Sequence, residues 1–357
     1  SMADATSLPS AGFTMPRPDD FHLHLRDGPE MASVLGHMPR GVMHRVLIMP
    51  NLQPPVTTTE QALAYRARIL EAKPADLDIE PLMTLYLTDK TPPEEIDAAV
   101  DSGAIAAVKL YPAGATTNSD SGVTDYDLVM PTLRRMAERG LPLCIHGEVT
   151  DPSVDVFERE AAFVSERLPL VLAAAPGLRI VLEHITTRAA AEFVASAGPN
   201  VAATITPQHL LFNRNELFRG GLRPHMYCLP ILKTEDDRAA LIDAVRSGSP
   251  KFFLGTDSAP HARGRKESDC GCAGIYSAHT ALEAYALAFE RAGCIDRLPA
   301  FASQHGADFY KVPRNTAEVT VSRKARTVPA ELSFGEDCVV VPFLAGQELP
   351  WTVEATA

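Results

Sequence analysis

Eight short apolar runs recur along the chain, and a helical pattern follows most of them. They are "FHLHL" at 21–25, "HRVLIMPN" at 44–51, "IEPLMTLYLT" at 79–88, "AIAAVKLYP" at 104–112, "LPLCIHGE" at 141–148, "LRIVLEHIT" at 178–186, "NVAATITPQH" at 200–209 and "KFFLGTDSAP" at 251–260. The intervening segments carry helix signals. "TEQALAYRARILEAK" starts near a Thr cap, and "PPEEIDAAVDSG" begins with Pro and Glu and stops at Gly. "DYDLVMPTLRRMAERG" and "TRAAAEFVASAG" also run to a Gly, and "SAHTALEAYALAFERAG" closes the series. "TEDDRAALIDAVRSG" has acids in its first turn and Arg in its last, which suits the helix dipole.

Strands alternating with helices indicate parallel βαβ units, and eight of them indicate a (β/α)8 barrel; a doubly wound sheet alternates in the same way. The polar residues favour the barrel. The runs end in His22, His24 and Arg26, in Asn51, in Lys109, in His146 and Glu148, in His184, in His209, and in Asp257 and His261. In a barrel these are the C-terminal strand ends, where active sites sit. The residues after about 315 read as an irregular tail packed on the barrel. The expected organisation is a disordered N-terminal extension over 1–14, opening with a Ser-Met cleavage scar, and one catalytic domain over 15–357.

Composition narrows the partners. The chain of 357 residues has 33 basic and 45 acidic side chains, a net charge of −12, which argues against nucleic acid or an anionic membrane as the main partner. No apolar run reaches the length of a membrane span. Six cysteines at 144, 228, 270, 272, 294 and 338 form no disulfide framework and read as free thiols of a cytoplasmic protein. Cys270 and Cys272 make a "CGC" pair, but no second pair lies at zinc-finger spacing.

Taken singly, the strand-end residues have ordinary explanations. His22 and His24, two apart on a strand, point to one face, followed by Arg26; that is either a wet edge or a pair of metal ligands. His146 and His184 could be hydrogen-bonded structural histidines, and Asp257 a helix cap. Lys109 stands out because Val108 and Leu110 would face the helices, turning the lysine into the barrel. A buried ammonium is costly, and a neutral lysine can take up carbon dioxide to become a bidentate oxygen ligand. Together these residues place possible ligands at one rim from five strands, which favours a metal site.

The segments "HLHLRDG", "MPNLQPPVTT", "AVKLYPAGATTNSDSGV", "IHGE", "LEHITT", "CLPILK" and "GTDSAPHARGRKESDCGCAG" resemble, in this order, the dihydroorotases of the single-function bacterial type in the amidohydrolase superfamily. The resemblance runs from about Arg17 to about residue 345. It implies two zinc ions per subunit, one held by His22, His24, Lys109 and Asp257, the other by Lys109, His146 and His184. Lys109 would be carboxylated and would bridge them together with a hydroxide. It further implies that Arg26, Asn51 and His261 hold a substrate carboxylate, and that backbone groups of Leu229 and Ala273 address a ring amide. Thr116 and Thr117 would lie on a lid loop, Asp257 would be the catalytic base, and the enzyme would be a homodimer. The implied reaction is the reversible cyclisation of N-carbamoyl-L-aspartate to L-dihydroorotate in pyrimidine synthesis. Two other readings stand beside it: a hydantoinase-like cyclic amidase, against which Arg26, Asn51 and His261 argue, and a scaffold protein that has lost catalysis, against which the complete ligand set argues.

Overall fold

The computed structural model describes residues 12–357. Eight parallel strands pair in chain order: β1 (Asp20–Leu23), β2 (Arg45–Ile48), β3 (Glu80–Tyr86), β4 (Ile105–Leu110), β5 (Leu143–Ile145), β6 (Ile180–Leu182), β7 (Val201–Ile205) and β8 (Phe252–Leu254). Each overlaps one of the apolar runs. The ring closes where Asp257 N–H donates to the His22 carbonyl (2.9 Å) and His24 N–H to that of Ser258 (3.1 Å). The sheet is therefore the predicted (β/α)8 barrel and not an open doubly wound sheet.

Local chemistry sets the helix ends. Thr59–Ala72 opens with a capping box: Thr58 Oγ1 accepts the Gln61 N–H (3.2 Å) and Gln61 Oε1 accepts the Thr58 N–H (3.3 Å). Pro93–Ser102 and Tyr126–Arg139 stop at Gly103 and Gly140, both left-handed, with φ of 70° and 72°. Glu235–Arg246 is capped by Thr234. Helix Gly28–His37, capped by Asp27 with Pro29 in its first turn, was not among the predicted helices. Nor were Arg159–Glu166 and Leu168–Ala174, which are too brief to develop a clear period. His209, expected to end the seventh strand, lies on the short helix Pro207–Leu211, because Thr206 caps and Pro207 opens a helix there.

Two cores share the sheet. Val108 and Leu110 belong to the large one between barrel and helices. Phe21, Leu47, Ala107, Val181, Ala202 and Phe253 fill the barrel interior, with Tyr310 stacked on Phe21 at a centroid distance of 4.6 Å. Helix His305–Tyr310 passes this interior at Gly306. A Cβ there would lie 2.5 Å from Phe21 Cδ2 and 3.1 Å from Phe253 Cδ2. Gly306→Ala is thus expected to destabilise the fold by about 1–3 kcal/mol, the cost of overpacking a filled core. Urea unfolding measures this, and an unchanged midpoint would mean that the two rings give way freely.

The C-terminal segment corrects the expectation of an irregular tail. Strands Glu318–Ser322 and Thr352–Ala355 form a three-stranded antiparallel sheet with Phe13–Pro16, and two two-stranded ribbons lie between them in sequence. Phe13 and Thr14 fall within the segment expected to be disordered, yet they pair with Val321 and Thr320. Residues 1–11 of that segment, with the expected Ser-Met scar, lie outside the described residues. Strands of two to five residues carry too little alternation to be read locally, and the partner of Phe13 is about 300 positions away. Asp19 fastens the tail to the barrel: it accepts from Arg45 Nη1 (3.2 Å) and Asn315 Nδ2 (2.9 Å). No helix among the described residues is long and apolar enough to cross a membrane.

Candidate metal centre and active site

Strand β1 does not simply alternate. Its register against β2 slips: Asp20 lies opposite Val46 and Leu23 opposite Ile48, so β1 carries one extra residue. The buried Asp20 carboxylate supports the slip, accepting the His22 N–H (3.1 Å), the Thr256 N–H (2.9 Å) and the Thr256 hydroxyl (2.6 Å). Phe21 can thereby enter the barrel core while its neighbour His22 faces the cavity above. The expectation that His22, His24 and Arg26 share a strand face is corrected accordingly. Only His22 lies within β1; Arg26 is turned back by a left-handed backbone (φ 61°), and its Nε donates to the Pro260 carbonyl (3.0 Å).

Both imidazoles are held from behind. His22 Nδ1 lies 2.9 Å from Glu183 Oε2, and His24 Nδ1 lies 2.9 Å from Asn51 Oδ1. An Nδ1–H donated to each oxygen leaves both Nε2 atoms as lone-pair donors. Those atoms are 3.3 Å apart, and Asp257 Oδ1 lies 3.1 Å from His22 Nε2 and 3.0 Å from His24 Nε2. Three acceptors aimed at one point repel each other unless a cation lies among them. These three side chains are also the one His/Cys/Asp/Glu group among the described residues with the spacing of a metal site. Burial and Lys109 push the His22 pKa down, but the Asp257 and Glu183 carboxylates outweigh them and raise it.

The other predicted ligands line the same small cavity, which also takes in Arg26, Asn51, Thr116, Thr117, Leu229 and Ala273. The rings of His22 and His184 are 5.1 Å apart and those of His184 and His146 4.7 Å apart, extending the cluster in one direction. His146 Nε2 is engaged by Glu148 Oε1 (2.7 Å). His184 Nδ1 and Lys109 Nζ are buried with no hydrogen-bond partner. Burial holds the His184 pKa well below its ordinary value, so the ring is neutral. Burial likewise pulls the Lys109 pKa down, against the carboxylates of Glu183 and Asp257. His184 and Asp257 adopt left-handed backbone at φ 37° and 50°, the kind of local strain that gathers at functional sites. An orphaned buried amine, an orphaned imidazole nitrogen and three converging acceptors fit a site built for cations.

Asn51 has a part the sequence did not indicate. While its Oδ1 orients His24, its Nδ2 donates to the Thr117 carbonyl (3.2 Å). Thr117 Oγ1 in turn donates to the Ala273 carbonyl (3.2 Å), so the 113–122 loop lies folded over the site. Gly122 is required there because any Cβ would collide with the Tyr111 carbonyl. His261 is not among the cavity-lining side chains. Its Nε2 sits 3.2 Å from Arg26 Nη2 and 3.0 Å from the Ala273 carbonyl, and burial takes its pKa down to about 2, leaving it neutral. His209 uses both ring nitrogens, on Thr206 Oγ1 (2.6 Å) and the Pro230 carbonyl (2.9 Å), and so is not a ligand.

Sequence reasoning missed Glu183, Thr204 and Tyr111. Glu183 interrupts the apolar run "LRIVLEH", a detectable signal. Tyr111 stands two residues after Lys109, hence on the same strand face; its buried hydroxyl has no partner and it lines the cavity. Thr204 on β7 leaves no such trace. Its hydroxyl donates to Glu183 and accepts the His184 N–H (2.8 Å), tying the supports of His22 and His184 together. Glu183→Gln is expected to weaken metal binding about 10–100-fold, as loss of a charged support behind a ligating imidazole does. Competition against a chromogenic chelator measures it, and unaltered affinity would remove Glu183 from the site.

No protein-family model matches the chain. The dihydroorotase of Laribacter hongkongensis is 62% identical over 339 residues, spanning 95% of this chain and 98% of that protein. The chain belongs to the dihydroorotase family. The dihydroorotase of Alkalilimnicola ehrlichii is 60% identical over 340 residues, with 95% and 98% covered. Among solved structures, Saccharomyces cerevisiae dihydroorotase in complex with 5-fluoroorotic acid superposes with a TM-score of 0.87 at 32% identity, over 97% of this chain and 100% of that one. The L-hydantoinase of Arthrobacter aurescens superposes with a TM-score of 0.79 at 16% identity, over 96% and 83% of the two chains, and so shares the fold. Family membership makes the chain an enzyme, a cyclic amidohydrolase, and makes a metal-dependent site the expected occupant of the His22–His24–Asp257 cluster.

Proposed function

We propose that the chain interconverts N-carbamoyl-L-aspartate and L-dihydroorotate, the dihydroorotase step of pyrimidine synthesis. The observation that carries this is the meeting, in one cavity, of His22, His24, Asp257, Lys109, His146 and His184 with Arg26, in a dihydroorotase-family chain. His22, His24 and Asp257 would hold one cation, and His146 and His184 would hold a second. Lys109, as its carbamate, would contribute to both, and zinc is the metal that this mixture of imidazole and carboxylate oxygen would suit. Bound there, the cations supply Lewis acidity, polarising an amide carbonyl and making water acidic enough to attack near neutral pH.

The chain's own groups complete the chemistry. Asp257 takes the proton of the attacking water and hands it to the departing ring nitrogen; in the synthetic direction it takes a proton from the carbamoyl nitrogen. Arg26, with Nε anchored on the Pro260 carbonyl, offers its Nη groups to the substrate carboxylate. Asn51 steadies His24, Leu229 and Ala273 offer backbone groups to the ring amide, and Thr116 and Thr117 close the loop that excludes water. The working protein is a cytoplasmic homodimer without nucleic-acid or membrane partners. Loss of dihydroorotate absorbance by metal-replete protein, abolished by chelator and restored by zinc, is the expected result. Hydrolysis of hydantoin with no action on dihydroorotate would sink the proposal.

A further inference from the structure

The "CGC" pair is absorbed by neither the metal site nor the core. Cys270 is exposed and Cys272 partly so, and their sulfurs lie 3.6 Å apart. The segment that carries them leads straight into the site. Lys266, itself buried, donates from Nζ to the carbonyls of Cys272 (2.6 Å) and Tyr227 (2.8 Å). The Gly274 N–H also donates to the Tyr227 carbonyl (3.0 Å). Between these anchors, the Ala273 carbonyl meets His261 Nε2 (3.0 Å) and Thr117 Oγ1 (3.2 Å), the contact that fastens the folded loop. Cys272 already sits in a left-handed backbone at φ 26°.

We propose that Cys270 and Cys272 are a thiol–disulfide modification site, and that closing it loosens the Ala273 contact and weakens substrate binding. A disulfide brings two sulfurs to about 2.05 Å. From 3.6 Å the two residues must draw together, and any part of that movement taken by Cys272 pulls on its tethered carbonyl and on its neighbour Ala273. The oxidant class is a hydroperoxide. The Cys270 thiolate attacks its oxygen, the O–O bond breaks, and water or alcohol leaves, giving a sulfenic acid. The Cys272 sulfur then displaces water from that sulfur as the S–S bond forms. The thiols lose two electrons and the hydroperoxide gains two. Reduction by a dithiol reverses the step.

The two sulfurs differ in readiness. Hydrogen bonds from the Cys272 backbone and thiol, with Arg265 and Lys266 nearby, hold the Cys270 thiol below its ordinary range, whereas burial raises that of Cys272. That suits Cys270 as the attacking thiolate. Burial pushes the thiols of Cys144, Cys228 and Cys294 upward and makes them poor competitors.

The test treats the metal-loaded enzyme with hydrogen peroxide and follows both peptide mass and turnover. The peptide holding Cys270 and Cys272 is expected to lose the mass of two hydrogens. In step, kcat/KM for dihydroorotate falls about tenfold, mainly through KM, the scale of one lost polar contact, and a dithiol restores it. Cys270→Ser keeps the basal rate and resists both changes, while Cys338→Ser, lacking the other exposed thiol, behaves as the parent does. A cross-link that leaves kcat/KM unaltered, or equal inactivation of Cys270→Ser, would overturn the proposal. The turnover arm rests on the reaction proposed above; the mass arm does not, so the two can fail separately.

Discussion

Lys109→Ala is expected to lose turnover and metal together. Lys109 is wholly buried at the barrel mouth with its Nζ unpartnered, 5.1 Å over the Tyr111 ring. A charged ammonium held there without a hydrogen-bonded counter-ion would cost several kcal/mol, of the order of other buried unpaired ions. A neutral amine avoids that cost and is a nucleophile toward carbon dioxide. Its nitrogen would bond to carbon, a proton would leave, and two carbamate oxygens sharing one negative charge would replace the orphaned donor. Those oxygens are what the imidazole sets lack, since neither His22 with His24 nor His146 with His184 contains a ligand common to both positions. Alanine deletes them, so kcat should fall by at least about 10³-fold, as for removal of a principal electrostatic element of a site. Metal content should drop below one ion per chain. Lys109→Arg separates this account from a plain cation role: it keeps the charge but forms no carbamate, so it should resemble alanine. Full rate and full metal content in the alanine variant would rule the bridging role out.

The barrel was legible because eight buried strands each left a short apolar run, and the candidate site was suggested by the polar groups that end those runs. What the sequence could not convey is contact made across the ring. Thr204 has no local mark, since a threonine in a strand is ordinary; it matters only because Glu183 and the His184 N–H meet it from the next strand. Asn51 was read as a substrate contact from the motif around it, and only geometry puts its Oδ1 on His24. The Asp20 slip was likewise hidden: alternation through "FHLHLRD" suggested three side chains in a row, whereas the extra residue and the turn at Arg26 place them by other means. The terminal sheet was missed for a related reason, because Phe13–Pro16 acquires its partner only when the chain end returns.

Asp257→Asn is the second large expected effect, and it tests the proton carrier rather than the scaffold. The substitution keeps the shape of the side chain and an oxygen able to lie 3.0–3.1 Å from His22 and His24. It removes the charge and the ability to take a proton. The present carboxylate is strongly ionised. Burial raises its pKa, but the adjoining His22 and His24 imidazoles outweigh that and carry it well below the ordinary range. A base that must accept a proton in each turnover therefore works only if the cations in the site take over the stabilising work of those imidazoles and the attacking water is itself made acidic. The asparagine variant should bind substrate with a similar KM, because Arg26, Leu229 and Ala273 are untouched. Its kcat should fall about 10²–10⁴-fold, the range for loss of a positioned general base. Asp257→Glu retains the charge but moves it by a methylene, so it should recover metal binding more fully than rate. Comparable turnover in the parent and the asparagine variant would transfer the proton role to another group in the cavity, and the buried, unpartnered Tyr111 hydroxyl would be the first to examine.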